Sequence, residues 1–158
     1  MRLLLVAGSR PDVLEHFRRS IRRLGLDGLP SRVLCILYAE DRNAYFSAFN
    51  EALHTTDVLW TKPSELSFFA SLGIPIVLAP AIGSQEDFNA SWLRSLGAGI
   101  PQGDPRYADQ WLGDWLQSGW LARAAIAGFV GGVKRGTYRI EEIIVHCEKH
   151  LPEPIEPV

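Results

Sequence analysis

Over its first 100 residues the chain alternates between short apolar runs and longer stretches with apolar residues at helical spacing. The apolar runs, which we predict to be buried strands, are residues 3–7, 32–39, 58–60, 74–78 and 98–100. The stretches predicted as helices are residues 13–24, 43–53, 64–72 and 85–96, the first of them capped by Asp12. Short strands that alternate with helices are typical of βαβ units and of a parallel sheet.

The predicted fold is an α/β, Rossmann-like, doubly wound parallel sheet of about five or six strands with helices on both faces. Ligands of such sheets bind beyond the carboxyl ends of the strands. This rule selects four loops as candidate binding segments, namely residues 8–11, 38–42, 61–64 and 80–85.

After residue 104 the pattern becomes helical, with predicted helices at residues 107–117, 120–130 and 137–150. Residues 151–158 hold three prolines and predict an extended or disordered tail. We therefore expect one domain, residues 1–150, with a helical C-terminal segment and a Pro-rich tail at 151–158. Trp60 and Trp92 are predicted to lie in the core. Trp111, Trp115 and Trp120 form either a cap over the sheet or an exposed patch.

Composition excludes several classes of protein. The net charge of −2 gives no general attraction to nucleic acid, so none is expected as a partner. The arginine cluster at residues 18–23 is predicted to be the solvated face of a helix. The two cysteines lack a metal-type spacing and favour a reducing compartment, so we expect a cytoplasmic protein. The dinucleotide-binding and P-loop glycine motifs are missing, and so is a metal-ligand spacing of acidic residues.

Two predicted helix starts follow strand ends and suit a phosphate. In residues 61–65, Ser64 is expected to cap the helix and Lys62 to add a charged contact. In residues 81–86, Ser84 is expected to cap the next helix, and Gly83 would let the backbone approach a ligand closely. The free N–H groups and the positive dipole end at such turns favour a diphosphate.

Residues 57–99 resemble the C-terminal domain of GT-B glycosyltransferases of family 28. This group includes the lipid II N-acetylglucosaminyltransferase, monogalactosyldiacylglycerol synthase and related diacylglycerol glucosyltransferases. The matching motifs are Thr61-Lys62-Pro63, Gly73-Ile74-Pro75 and a Gly-Ser-Gln-Glu-Asp-Phe-Asn segment at residues 83–89. The Gly8-Ser9 loop matches the glycine-bearing first loop of the family. The resemblance implies half of a GT-B fold.

The resemblance also implies which residues bind a nucleotide-diphosphate sugar, with UDP-sugar as donor substrate and no other cofactor. These residues are Gly8, Ser9, Thr61, Lys62, Pro63, Ser64, Glu65, Gly83, Ser84, Gln85, Glu86 and Asn89. The first turn would contact the ribose and the phosphates, and Gln85 and Glu86 would reach toward the sugar or the diphosphate.

The chain departs from the family in two respects. Pro63-Ser64-Glu65 replaces the family's Pro-Gly-Gly, and Glu65 is either a substitute ribose acceptor or an ordinary first-turn acid. The chain also has the length of only one GT-B half, and no histidine is placed as a catalytic base, so catalytic residues are not assigned. The resemblance thus implies the donor-binding half of an inverting transferase. It would be active only with an acceptor-binding domain or subunit, which could itself be membrane-associated. The alternative is a degenerate, non-catalytic half-domain that serves as an interaction or regulatory module and forms a homodimer through its Trp-rich helices.

Overall fold

The computed structural model describes residues 1–132, 134 and 136–148. The predicted Pro-rich tail and the last two residues of the predicted final helix lie outside this range. The chain is organised in two compact units, a first unit of Met1–Thr56 and a second unit that begins at Asp57. In its described residues no helix is long and apolar enough to cross a membrane.

The first unit is a β-α-β-α arrangement. Its elements are β1 (Leu3–Gly8), α1 (Pro11–Arg23), β2 (Leu34–Tyr38) and α2 (Arg42–Leu53). The two strands are parallel, and their register shifts between Val6 and Gly8, where Gly8 adopts a left-handed φ of 65°. Asp41 caps α2 by accepting a hydrogen bond from the backbone N–H of Ala44 at 2.7 Å.

The second unit contains a three-stranded parallel sheet followed by helices. Its elements are β3 (Leu59–Thr61), α3 (Leu66–Ser71), β4 (Ile76–Leu78), α4 (Ser84–Ser95), β5 (Gly99–Pro101), a short 3-10 turn (Pro105–Tyr107), α5 (Ala108–Gln117), α6 (Trp120–Gly131) and α7 (Gly136–Glu148). The strand order is β3-β4-β5, so each helical crossover joins neighbouring strands.

The fold is α/β with parallel strands, as predicted, but the prediction of one sheet of about five or six strands is wrong. In the described residues the strands form one sheet of two and one of three. Apolar runs identify strands, but they do not specify which strands pair. The strands of the second unit are also only three residues long, which leaves few hydrogen-bonding positions in each ladder.

The core of the second unit forms between its sheet and its helices. Ile76, Val77 and Leu78 of the central strand are all buried, as expected for a strand covered on both faces. On one face Leu93 of α4 packs against Gly99, where an added Cβ would overlap the leucine side chain. On the opposite face Trp60 contacts Trp111 of α5, with ring centroids 5.3 Å apart.

Three predicted helix caps are wrong. Helix α1 begins at Pro11 with Arg10 as its N-cap, and Asp12 pairs instead with the Arg10 side chain. Helix α3 begins two residues later than predicted, with Glu65 at the cap position and no capping side chain. Helix α4 begins at Ser84 itself, behind Gly83, and it too has no capping side chain. In α3 and α4 the predicted serine is not at the N-cap position because of the conformation of the turn that precedes each helix.

Candidate functional site

The candidate site lies at the carboxyl edge of the three-stranded sheet, where β3 and β4 end side by side. The backbone N–H of Ala79 donates to the carbonyl oxygen of Thr61 at 2.8 Å, just beyond the paired residues Thr61 and Leu78. The loops that follow these strands therefore start next to each other. This is the edge at which ligands of parallel α/β sheets bind.

The loop after β3 is a tight turn anchored by a proline. The N–H of Ser64 donates to the carbonyl oxygen of Lys62 at 2.8 Å, which closes the turn before α3 begins. Pro63 is fully buried, while Lys62, Ser64 and Glu65 are exposed. The turn leaves Glu65 at the N-cap of α3 and Ser64 one residue before it, which is why the serine hydroxyl does not cap the helix.

The loop after β4 enters α4 through a glycine conformation. Gly83 has φ 95° and ψ 165°, a region that is essentially restricted to glycine. Glu86 accepts a hydrogen bond from the backbone N–H of Ile82 at 2.6 Å and holds this loop against the first turn of the helix. The side chain of Glu86 is therefore a structural clamp, and one of its oxygens is already engaged.

Asn89 joins the two loops. Its side-chain amide donates to the carbonyl oxygens of Pro63 at 3.0 Å and Ser64 at 3.1 Å, across 26 and 25 residues of sequence. Both contacts use the amide nitrogen, so the amide oxygen is the atom left for a ligand. The structure thus brings together Pro63, Ser64 and Asn89, three of the residues that the family resemblance implies for ligand binding.

The remaining predicted residues of this edge are placed as follows. Thr61 is the half-buried last residue of β3. Ser84 and Gln85 are the exposed first residues of α4. No side-chain hydrogen bond caps the N-terminus of α4, so the N–H groups of its first turn are not taken by a capping side chain. The same turn carries Glu86 and Asp87, whose negative charges already complement the helix dipole.

Gly8 and Ser9 belong to the first unit and form a turn of their own at the end of β1. The carbonyl oxygen of Gly8 accepts from the N–H of Ala39 at 3.2 Å, and the N–H of Arg10 donates to Ala7. Ser9 is exposed.

Shifted pKa values occur outside the predicted site. The Arg10 guanidinium lowers the pKa of Asp12, and the Arg106 guanidinium lowers the pKa of Asp104, in each case by a side-chain hydrogen bond. In the part of the chain that the structure describes, no group of three His, Cys, Asp or Glu residues could hold a metal ion.

A row of indole rings was only partly anticipated from the sequence. Trp60 is 44% exposed rather than buried in the core, and its indole N–H donates to Gln102 at 2.8 Å. From Trp60 the row continues through Trp111, Trp115 and Trp120, with centroid separations of 5.3, 4.6 and 6.0 Å. The helical spacing of residues 111 and 115 predicted that these two rings meet, but only the tertiary fold adds Trp60.

No family model, no curated protein and no solved structure matches this chain.

Proposed function

We propose that the second unit binds a nucleotide-diphosphate sugar, most simply a UDP-sugar, as the cytoplasmic donor-binding half of a glycosyltransferase. A single observation carries the proposal. Asn89 ties the turn at residues 62–65 to helix α4, so that two loops at the carboxyl edge of a parallel sheet form one surface. The resemblance of residues 61–89 to family 28 GT-B transferases supplies the class of ligand.

In this proposal the diphosphate lies against the uncapped first turn of α4, which is 12 residues long and carries a full helix dipole. Helix α3 has only six residues and contributes its preceding turn rather than its N-terminus. Lys62 adds a charge-assisted contact to a phosphate, which offsets the repulsion from Glu86 and Asp87. Gln85 and the free amide oxygen of Asn89 face the sugar hydroxyls, and Glu65 accepts from the ribose.

The rival is a non-catalytic interaction module. Ile82 and Phe88, which flank the same surface, are 72% and 77% exposed. Large apolar side chains with this exposure are typical of a surface that binds another protein. The two acids in the first turn of α4, Glu86 and Asp87, also make that turn less favourable for a phosphate. In that case a second copy of the chain or another protein would cover Ile82 and Phe88, and nucleotide would not bind.

Titration calorimetry with UDP and with several UDP-sugars separates the two. We expect binding in the micromolar to millimolar range for the wild-type chain. Lys62→Ala should weaken binding by about tenfold, the size of one charge-assisted hydrogen bond. Lys134→Ala is the matched control, because Lys134 lies over the Phe129 ring, away from this edge. The absence of binding heat at millimolar nucleotide would refute the proposal.

Glu86 requires a gentler substitution than alanine because it clamps its own loop. Glu86→Gln retains an acceptor for the Ile82 N–H and removes only the charge. If the diphosphate occupies the first turn of α4, this variant should bind nucleotide at least as tightly as wild type, since a repulsive charge is gone. Weaker binding would instead indicate a direct contact of the Glu86 carboxylate with the sugar.

A further inference from the structure

The first unit presents an ordered loop of exposed apolar side chains. After α1 ends at Arg23, Leu24 is 64% exposed, and Leu26 and Leu29 are exposed as well. The loop is held by its backbone, because Leu26 donates its N–H to Ile21 and Leu29 donates to Leu26. The turn therefore holds these leucine side chains in contact with water. A partner surface that covered them would remove their apolar area from water, which is favourable.

An open groove of about 370 Å³ lies between this loop, α1 and β2. Leu14 and Ile21 of α1, Leu26 and Leu29 of the loop and Ile36 of β2 give it an apolar lining. Arg18 and Asp27 are its charged lining residues. The groove is thus apolar inside, with a guanidinium beside it.

Basic side chains outnumber acidic ones in α1 and in the loop that follows it. The arginines of α1 and of the loop are Arg18, Arg19, Arg22, Arg23 and Arg32, and the acids of the same two segments are Asp12, Glu15 and Asp27. Five arginines against three carboxylates give these two segments a charge of +2, on a chain whose net charge is −2. Glu15 pairs with Arg22 at 3.3 Å and Arg19 at 4.0 Å, so Arg18, Arg23 and Arg32 make none of the salt bridges found among the described residues.

Arg18 and Arg22 are four residues apart and lie one turn from each other, next to Leu14 and Ile21. Helix α1 consequently carries Arg18 in the lining of the groove and Arg22, which also pairs with Glu15, one turn further along. A surface that combines leucines in water with neighbouring arginines matches the interface of an anionic bilayer, where apolar side chains meet acyl chains and guanidiniums meet phosphates. Nucleic acid would use the arginines but would leave the leucines exposed.

We propose that this surface docks the first unit onto an anionic lipid bilayer. Leu24, Leu26 and Leu29 enter the interfacial region, and Arg18 and Arg22 contact lipid phosphates. The proposal is independent of nucleotide binding, which concerns the second unit, so either can fail without the other.

Cosedimentation of the full chain with lipid vesicles tests it. We expect the chain to pellet with phosphatidylcholine vesicles that contain one-third phosphatidylglycerol, to stay in solution with phosphatidylcholine alone, and to be released by added salt. Arg18→Gln combined with Arg22→Gln should lower the partition coefficient on the order of tenfold or more, since each basic residue near the surface contributes separately. Leu24→Asn combined with Leu29→Asn should lower it by about tenfold as well.

The control is Ile140→Asn combined with Ile144→Asn, which removes exposed apolar side chains of α7 and should leave partitioning unchanged. Equal pelleting with both kinds of vesicle, an unaffected arginine variant or a loss of binding in the α7 variant would each overturn the proposal. An unaffected leucine variant would indicate a polyanion-binding surface, and displacement by free glycerol phosphate would indicate a simple anion site. Far-ultraviolet circular dichroism confirms that each variant is folded.

Discussion

The side-chain amide of Asn89 donates a hydrogen bond to the carbonyl oxygen of Pro63 at 3.0 Å, and so fastens helix α4 to the turn that follows β3. The contact also satisfies the carbonyl of a fully buried proline. The geometry of the candidate site therefore depends on the amide nitrogen of Asn89, whether or not that nitrogen contacts a ligand.

We expect Asn89→Ala to lower the free energy of unfolding by about 1 kcal/mol, the net value of a partly buried hydrogen bond. Asn89→Asp should cost more than alanine, because it places a carboxylate against two carbonyl oxygens. Urea unfolding followed by circular dichroism measures both. Gln85→Ala, an exposed change on the same helix, is the control. Equal stability of the alanine and aspartate variants would show that the amide donor is not used.

Gly83→Ala should destabilise the second unit by about 1–3 kcal/mol, because the backbone there lies in a region that side chains avoid. The space around the residue is open, so conformational strain alone is responsible. Gly28→Ala also meets open space but has no positive φ, and it should be close to neutral. Thermal unfolding of the pair gives the comparison, and similar melting temperatures would contradict the conformation described for Gly83.

Gly99→Ala should destabilise by about 1–3 kcal/mol for a different reason, since the added Cβ overlaps buried Leu93. Gly113→Ala, within α5 and with nothing nearby, should instead stabilise by up to about 1 kcal/mol through helix propensity. Urea midpoints of the two variants should therefore move in opposite directions. A shift of both in the same direction would argue against the packing of α4 on β5.

Removing the observed cap of α2 should lower the free energy of unfolding more than removing the cap that the sequence predicted for α4. Asp41→Ala deletes the hydrogen bond to the N–H of Ala44 and should cost about 1 kcal/mol. Ser84→Ala should change stability by less than about 0.5 kcal/mol, because the serine hydroxyl caps nothing. A larger loss in Ser84→Ala than in Asp41→Ala would restore the capping role expected from the sequence.

The bidentate pair of Arg106 and Asp104 should be visible in a pH titration. The guanidinium donates to both carboxylate oxygens, at 3.1 and 2.6 Å, and lowers the pKa of Asp104. A lowered pKa means that the pair contributes to stability above the ordinary pKa of aspartate and loses that contribution as pH falls through the lowered value. We expect Arg106→Gln to raise the pKa of Asp104 toward its ordinary value, as followed by carboxyl carbon NMR. Arg94→Gln, on α4, should leave it unchanged.

The existence and order of the elements could be predicted from the sequence because each strand lies in a compact apolar run between stretches of helical or turn pattern. The helix starts at residues 64 and 84 were misjudged, since a serine before a helix signals a cap only if the turn in front of it leaves the hydroxyl in position. Ser64 lies one residue before the N-cap Glu65, and Ser84 is already the first helical residue behind Gly83, whose positive φ the sequence pattern did not predict.

Contacts between distant residues were the least predictable part. The division into sheets of two and three strands depends on hydrogen-bond pairing, which alternation alone does not specify. Asn89 was selected by resemblance as a ligand-binding residue, but its contact with Pro63 spans 26 residues and follows only from the tertiary fold. The same holds for the hydrogen bond between Trp60 and Gln102.

The tryptophans are distributed unequally between the two units, and fluorescence can detect this difference. All five tryptophans belong to the second unit, and the first unit has none. Intrinsic tryptophan fluorescence therefore reports on one unit and is blind to the other, whose own chromophores are Tyr38 and Tyr45. Denaturation curves recorded by indole emission and by backbone absorption will coincide only if the two units unfold as one, so ordinary spectroscopy can read their cooperativity without a label.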